Sequence, residues 1–595
     1  MKELDYAVYR KKLEGCFTGK SVGGTLGMPF EGRRQVNNVT FYDPVPDTML
    51  PNDDLDLQVS ALEILMRTGL PVSRFNMGDT WRLYNQETLP DEYGVAEGNY
   101  QKKIYAPLSG RYNNKFHGGM GAAIRSELWA CLAPGNPDLA VKMAIEDGCT
   151  DHADDGVHAI MFLAALESMA FTETDVEKMI EKGISYIPED AKMGRVFRDA
   201  VKWYNETKDP VEVRSRILEN YSSENWTDVT INVSFILTAL LHSKGDFDTA
   251  ICTATNLGHD ADCTAATVGS IVGILNPEGI SEKWTKPIGD ELLLSYNMIN
   301  VTESSTIGDF CDEVAFVAEK VMEYYNSDVK FENLPKDRKT YNMAPPRLSG
   351  HINKDYELTE ALIAETPLTV SVVYPGTVAY CYEKENNFKI KIENRTKTEM
   401  KGTFTLGASQ NVIITPSSFN LDLAPGDKTE YAFNVKKLIA KKRVPVNNVN
   451  VMFSVNGLNW DASFGFPDAK IYHVENLETG EKYDVETPDS YFTVPKGKYR
   501  YTLDFIPAVG GRPLRISHNG KAKFDTFLNG EKIHARAAGS EYVPAFHRGC
   551  CSIFTPERGV NKFEFYFDNE TEAEAFIEIG SVGGCGRWVT FVQYV

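Results

Sequence analysis

Two spacings of apolar side chains divide the chain. Up to about residue 335 the apolar positions recur every three or four residues, as at Leu55, Val59, Leu62 and Met66, which is typical of amphipathic helices. Beyond about residue 367 apolar and polar residues alternate, which is typical of half-buried strands. The pattern predicts an all-α domain at 1–335, a linker at 336–366, and two β-sandwich domains at 367–475 and 476–595.

The first part contains a segment at 13–28 that is rich in glycine and small residues, which we interpret as a helix packed closely against a neighbour. The linker begins at Leu334-Pro335 and contains the helix-breaking run Ala344-Pro345-Pro346. Further helices are predicted at 137–147, 159–170, 176–184, 193–203, 211–218, 233–241, 247–255, 288–299 and 310–325, with a short one at 356–365 inside the linker.

The alternating segments fall into two groups. The first group, which includes a Pro425-Gly426 turn between two strands, suggests an immunoglobulin-like sandwich. The second group suggests a jelly-roll-like sandwich, an architecture often used to hold sugars, so carbohydrate binding and a packing or oligomerisation role both stay open. The strands are predicted at 369–374, 388–392, 402–406, 421–423 and 431–435, and then at 499–505, 523–528, 563–567 and 575–579.

Composition narrows the class of protein. The 595 residues carry a formal charge of −21, which argues against sequence-independent nucleic-acid binding because such binding rests on lysine and arginine. The first residues have no apolar signal region and no apolar run could span a bilayer, so we expect a cytoplasmic protein without membrane contact. The ten cysteines are scattered and form no CxxC pair, which argues against a zinc ribbon or a disulfide scaffold and favours buried thiols.

Two carboxylates stand one residue apart in the loop Asn256-Leu257-Gly258-His259-Asp260-Ala261-Asp262-Cys263-Thr264. The apolar, small-residue segment that follows, 265–275, is best interpreted as a buried helix. Carboxylates at the mouth of a buried helix are costly to desolvate unless a cation meets them. Oxygen ligands suit the hard ions magnesium, calcium and manganese.

A second helix start has the same form. Asn52, which could cap the helix, is followed by Asp53 and Asp54, and the apolar stripe that begins at Leu55 comes next. Aspartates in a first helical turn are common because they complement the helix dipole. Two such starts, each with paired carboxylates, nevertheless make a shared metal site as well supported as the helix-dipole explanation.

Other motifs are weaker when taken alone. Gly19-Lys20-Ser21 is not a phosphate-binding P-loop, because Glu14 stands where the pattern needs glycine. The glycine-rich loop Gly118-Gly119-Met120-Gly121 could receive an anionic group, although glycine clusters usually serve turns. A lone histidine such as His152 is usually structural, but carboxylates flank this one, and Glu31 could face a cleft or simply solvent.

Five of these segments occur in the order and spacing of the ADP-ribosylglycohydrolases, the family that includes the dinitrogenase reductase-activating glycohydrolases. The strongest match is 256–263, which resembles that family's Asn-Leu-Gly-Gly-Asp-Ala/Thr-Asp-Thr. The others are 15–31, 52–54, 118–125 and 151–152, so that the resemblance covers roughly residues 10–330.

The resemblance implies an orthogonal all-helical domain with two magnesium ions, or manganese, between the acidic helix starts. By this likeness Asp53, Asp54, Asp260 and Asp262 would be metal ligands. Asn52 and Cys263 stand where the family usually has threonine, which makes both doubtful as ligands. The catalytic set would be Asp53, Asp54, Asp260 and Glu31, and the substrate would meet Glu31, Gly118, Gly119, Gly121, His152 and His259.

The implied activity is hydrolysis of an N- or O-glycosidic bond, of ADP-ribosyl or a related group, by a water activated at the metals. Two alternatives stay open: a hydrolase of another ribosyl, nucleoside or glycan glycoside, and a catalytically weak module that binds ADP-ribose or a glycan.

Overall fold

The computed structural model describes residues 2–84, 91–223, 225–296, 298–302, 304–347, 360–380, 384–409, 411–438, 446–507, 511–536, 551–581 and 592–594. The chain packs into two units. One comprises Met1–Gln86 and His117–Arg347, and the other comprises Glu87–Phe116 and Asp355–Val595, each so far as its residues are described.

The first unit is helical around a single apolar core. A short parallel pair, β1 (Lys2–Asp5) and β2 (Val329–Glu332), joins its two ends. Its helices are α1 (Tyr6–Gly27), α2 (Asp53–Thr68), α3 (Arg74–Met77), α4 (Thr80–Leu83), α7 (Ser126–Leu132), α8 (Pro137–Gly148), α9 (Asp155–Ala170), α10 (Val176–Ile184), α11 (Lys192–Thr207), α12 (Pro210–Tyr221), α13 (Val229–Ser243), α14 (Phe247–Leu257), α15 (Ala261–Leu275), α16 (Glu282–Ile288) and α17 (Ile307–Tyr324). Helices α5 (Asp91–Gln101) and α6 (Leu108–Arg111) belong to the second unit.

Helices α1 and α15 form the centre of this unit and lie antiparallel with their backbones in contact. A Cβ added at Gly19 would stand 2.1 Å from the carbonyl oxygen of Gly269, and one added at Gly27 would stand 2.2 Å from that of Ala261. Only glycine allows so close an approach. The contact brings the C-terminal end of α1 to the N-terminal end of α15.

The second unit contains two sandwiches, each built from two antiparallel sheets that share one core. The first sandwich pairs the sheet β3-β4-β5-β9-β7 with the sheet β11-β10-β6-β8, and the second pairs a sheet around β15 and β20 with the sheet β14-β21-β16-β19. The strands are β3 (Glu360–Ala364), β4 (Thr369–Val373), β5 (Glu385–Glu393), β6 (Met400–Ala408), β7 (Val412–Thr415), β8 (Ser418–Leu423), β9 (Lys428–Lys437), β10 (Val446–Val455), β11 (Leu458–Pro467), β12 (Lys470–Asn476), β13 (Lys482–Thr487), β14 (Tyr491–Val494), β15 (Gly497–Pro507), β16 (Leu514–Gly520), β17 (Phe524–Leu528), β18 (Glu531–Arg536), β19 (Cys551–Phe554), β20 (Asn561–Asn569), β21 (Ala573–Ser581) and β22 (Val592–Tyr594).

The segment that carries α5 and α6 packs with the strands. Ile104, Leu108 and Tyr112 belong to the core of the first sandwich. The side chain of Asn113 accepts a hydrogen bond of 2.6 Å from the backbone N–H of Ser490. Sequence patterning placed this segment within 1–335; the domain limits themselves stay a prediction.

Two predicted helices are wrong. The helix expected at 288–299 is absent from the described part of that range, because α16 ends at Ile288 and Gly289 follows with φ of 71°. The helix expected at 356–365 is replaced over 360–364 by β3, whose apolar side chains are buried in pairing with β4; residues 356–359 lie outside the described residues. Tertiary pairing overrides the helical preference of this short run. The other predicted helices and strands are confirmed with shifts at their ends.

The cysteines that the structure describes with their side chains are free, and all but the partly buried Cys252 are buried. Cys381, Cys550 and Cys585 lie outside the described residues. Within the described ranges, no helix has the length and apolar character needed to cross a membrane. The cytoplasmic location stays a prediction.

Candidate metal centre and active site

The first acidic helix start lies at α2. Asn52 holds the N-cap position in an extended conformation, but its side chain makes no capping hydrogen bond within the described structure. Its amide nitrogen instead lies beside α1, 2.8 Å from where a Cβ on Gly24 would stand. Asn52 therefore faces the neighbouring helix, and Asp53 and Asp54 occupy the first turn.

Asp54 is fully buried. No donor among the described residues satisfies either of its carboxylate oxygens, and the ammonium of Lys20 stands 3.7 Å away. Burial raises the pKa of Asp54 to about 7, with Lys20 opposing that rise and Asp53 adding to it. Buried acceptors without donors are rare in folded proteins, and a cation is the usual partner that such oxygens await.

The second acidic helix start lies at α15. Asp260 holds the N-cap position without a side-chain cap, and its N–H donates to the side-chain oxygen of Asn232 at 3.2 Å. Ligand atoms of Asp260, Asp262 and Cys263 all lie within 4.8 Å of one another, and all three residues are buried. Burial, together with the repulsion among the carboxylates, raises the pKa values of Asp260 and Asp262.

The two helix starts face one site. The charges of Asp53 and Asp54 both raise the pKa of Asp262, and the nearby thiol of Cys263 lowers the pKa values of Asp54 and Asp260. The structure thus brings together the carboxylates that the sequence paired. The functional roles assigned to them stay a prediction.

Glu31 and Asp53 form the solvent-exposed mouth of this site, whereas Asp54, Asp260 and Asp262 form its buried floor. Partial desolvation by the surrounding protein raises the pKa of Glu31, and the neighbouring charge of Asp53 raises it further. Glu31 also raises the pKa values of Asp260 and Asp262, so it faces the floor. A carboxylate is thereby held between the bulk solvent and the acidic cluster.

Sequence reasoning missed Lys20, which is buried behind Asp54. Its ammonium donates to the carboxylate of Glu127 at 2.9 Å and to the carbonyl of Ile124 at 2.8 Å. Gln58, one turn after Asp54, donates to the other oxygen of Glu127 at 2.9 Å. The signal was a single lysine within the otherwise small and apolar part of α1, which is expensive to bury without a partner.

His152 lies beneath the glycine-rich loop and is fully buried. Its Nε2 accepts a hydrogen bond of 3.2 Å from the backbone N–H of Ala122, and its Nδ1 lies 3.0 Å from Asp151. Within the loop, Gly119 and Gly121 are buried, whereas a Cβ at Gly118 would meet nothing within 4 Å. His152 thus supports the loop from inside, and its contact with substrate stays a prediction.

His259 is a second buried histidine, with φ of 67°. Its N–H donates to Arg33 at 2.8 Å and its carbonyl accepts from Gly32 at 2.8 Å, so it ties the loop after α1 to the start of α15. Burial and the nearby charges of Arg214 and Arg34 lower the pKa of His259 to about 4. The ring is therefore neutral at pH 7, and its predicted role in substrate binding is likewise untested.

These residues fit a divalent cation. The carboxylates of Asp54 and Asp262 have buried oxygens that no described donor satisfies, and the surrounding charge is strongly negative. Most donors are carboxylate oxygens, which suit hard ions, and one is sulfur.

A family model for ADP-ribosylglycohydrolase matches residues 5–315, which is more than half of the chain. The chain belongs to the ADP-ribosylglycohydrolase family. It is accordingly a glycosidic-bond hydrolase, from a family that is metal-dependent in general, and the buried acidic cluster is where a metal could bind.

Solved structures add three likenesses. A chain from an ADP-ribosylglycohydrolase-related protein complex shares 18% identity, covering 53% of this chain and 99% of that one, at a TM-score of 0.38. An anti-sigma factor domain-containing protein from Clostridium clariflavum shares 13% identity, covering 33% of this chain and 79% of that one, at a TM-score of 0.15. An alpha-L-rhamnosidase from Dictyoglumus thermophilum shares 12% identity, covering 38% of this chain and 28% of that one, at a TM-score of 0.16. Scores this low carry no argument, and no curated protein matches the chain.

Proposed function

We propose that the chain hydrolyses the N- or O-glycosidic bond of an ADP-ribosyl group, or of a related group, at a dinuclear magnesium centre. One observation supports this most: the fully buried Asp54 has two carboxylate oxygens that no described donor satisfies, and its charge raises the pKa of Asp262 at the start of α15. Asp53, Asp54, Asp260 and Asp262 would hold the ions, with manganese as an alternative. Bound ions would supply Lewis-acid polarisation of the sugar hydroxyls and of a water.

The protein's own groups would do the rest. Glu31, at the mouth, would take the proton of the water that attacks the anomeric carbon, with an oxocarbenium-like transition state. Backbone groups of 118–121 would receive the phosphate or ribose, because Gly118 leaves open space where a side chain would stand. Lys20 would offset part of the negative charge of the buried carboxylates without reaching the substrate.

The test is a substrate screen on the purified full chain with Mg²⁺ or Mn²⁺. The candidates are ADP-ribosyl-arginine, ADP-ribosyl-serine, O-acetyl-ADP-ribose and aryl glycosides. We expect turnover of an ADP-ribosyl compound that Asp260→Asn abolishes while the circular dichroism stays unchanged. Asp246→Asn, which removes the exposed carboxylate that caps α14, is the matched control and should retain activity.

Each other outcome has a distinct meaning. Turnover of an aryl glycoside alone would replace the ADP-ribosyl assignment with that of another glycoside. Calorimetric binding of ADP-ribose without any turnover would make the chain a binding module. Full activity in Asp260→Asn would refute the site.

A further inference from the structure

Cys263 stands apart from the other described buried thiols. Cys149 and Cys311 direct their sulfur atoms at backbone carbonyls, and Cys131 contacts the sulfur of Cys16 at 3.9 Å. Cys263 instead lies among carboxylates, with its sulfur within 4.8 Å of ligand oxygens of Asp260 and Asp262. Its surroundings are therefore those of a ligand rather than those of a small apolar core residue.

The donors that converge most closely include this sulfur. Cys263 and the two aspartates of α15 present ligand atoms within 4.8 Å of one another. Asp54, a fully buried carboxylate with two unsatisfied oxygens, lies near enough to the same thiol for that thiol to lower its pKa. The position thus offers two carboxylates and a sulfur, with a further carboxylate beside them.

That donor set does not match a hard ion. Magnesium demands oxygen ligands and keeps several waters, so a sulfur in its coordination shell weakens binding. Zinc accepts sulfur together with carboxylate oxygen, and catalytic zinc sites have three protein ligands and one open position. Three converging donors that include a thiol therefore favour a borderline ion over magnesium at this position.

We propose that the metal position beside Cys263 takes Zn²⁺, with the Cys263 thiolate as a ligand, while the position nearer Asp53 keeps the hard ion. On binding, the S–H bond breaks, the sulfur–zinc bond forms, and the thiol proton leaves to solvent. This rests on the proposed metal-dependent function and replaces magnesium by zinc at one of its two metal positions.

The test uses Co²⁺ as a spectroscopic substitute for Zn²⁺ on the full chain, freed of metal by a chelator. We expect Co²⁺ to produce a sulfur-to-cobalt charge-transfer absorption in the near ultraviolet, and Zn²⁺ to abolish it by displacement. Cys263→Ser should lose this absorption entirely. Cys252→Ser, which removes a partly buried thiol elsewhere, should keep it in full.

The wild-type spectrum decides the question even if Cys263→Ser fails to fold. Cobalt bound without a charge-transfer absorption, or displaced by Mg²⁺ as readily as by Zn²⁺, overturns the thiolate ligand and leaves the hydrolase proposal standing. Absence of binding by Co²⁺, Zn²⁺, Mg²⁺ and Mn²⁺ alike overturns both.

Discussion

Arg125 shows how single side chains hold the interior of the helical unit. Its guanidinium is buried and donates to Asp147 at 2.8 Å, to Asp151 at 2.6 Å and to the carbonyl of Gly121 at 2.8 Å. The same residue thus pairs with two buried carboxylates and fixes the end of the glycine-rich loop.

Replacing Arg125 should be severe. Arg125→Met leaves Asp147 and Asp151 without their cation, and breaking such a buried pair costs about 3–5 kcal/mol. Arg216→Met is the control, because Arg216 pairs with Glu212 at the surface, where such a pair contributes about 0–1 kcal/mol. Urea denaturation followed by circular dichroism measures both, and equal losses would contradict the prediction.

Acid should weaken the same network. Burial alone would raise the pKa of Asp151, but Arg125 and His152 outweigh burial and lower it to about 2 from 3.8. A carboxyl whose folded pKa is depressed stabilises the fold above about pH 4, and this contribution, about 2 kcal/mol, is lost as the pH falls from about 4 to about 2.

The measurement is the urea midpoint, from tryptophan fluorescence, between pH 5 and pH 2. Asp151→Asn should flatten its pH dependence. Glu173→Gln should change the dependence much less, because the pKa of Glu173 is also lowered to about 2 but its ion pair with Lys178 lies at the surface, where such a pair contributes about 0–1 kcal/mol. A slope that Asp151→Asn does not alter would exclude Asp151 as its source.

At the scale of the elements, the α1–α15 contact sets the geometry of the site. Gly19→Ala would place a Cβ 2.1 Å from a backbone oxygen of α15, so the helices must separate. Such overpacking costs about 1–3 kcal/mol, and it should also weaken metal binding measured by calorimetry.

Gly194→Ala in α11 is the matched control. There the added Cβ meets its nearest atoms at 3.6 Å, an ordinary contact, so the change should stabilise the helix by about 0.5–1 kcal/mol. Unchanged metal affinity in Gly19→Ala would show that the separation of the helices does not reach the site.

The sequence predicted those elements whose signals are local. Paired carboxylates before an apolar run marked both acidic helix starts, α2 and α15, and a strict spacing of two marked the strands. It failed at 360–364, where pairing with β4 decides the structure, and at Lys20, whose partner Glu127 lies 107 residues away. The pairing with β4 leaves no trace in the neighbouring residues, and the isolated lysine indicates that it needs a partner without identifying Glu127.

For the whole molecule, metal should stabilise the helical unit selectively. A ligand at 100 times its dissociation constant adds about 2.7 kcal/mol to the state that binds it. Scanning calorimetry of the full chain should therefore show a transition of the helical unit that rises with Mg²⁺ or Zn²⁺ and falls with a chelator. The transitions of the sandwiches should not move, since the acidic cluster lies in the other unit; a uniform shift of all transitions would contradict this.

The close backbone packing of α1 against α15 also sets the position of the two helices relative to each other along their axes. The α1 glycines at positions 15, 19, 23 and 27 meet the backbone of α15 at intervals of four residues, so the two helices can engage only in steps of four residues, or about 6 Å along the helix axis. A slip by one step would carry Glu31 that far from the aspartates below it. The distance between Glu31 and the buried aspartates can therefore change only in such steps, set by glycines outside the acidic cluster. A redesign of that distance would begin with these glycines.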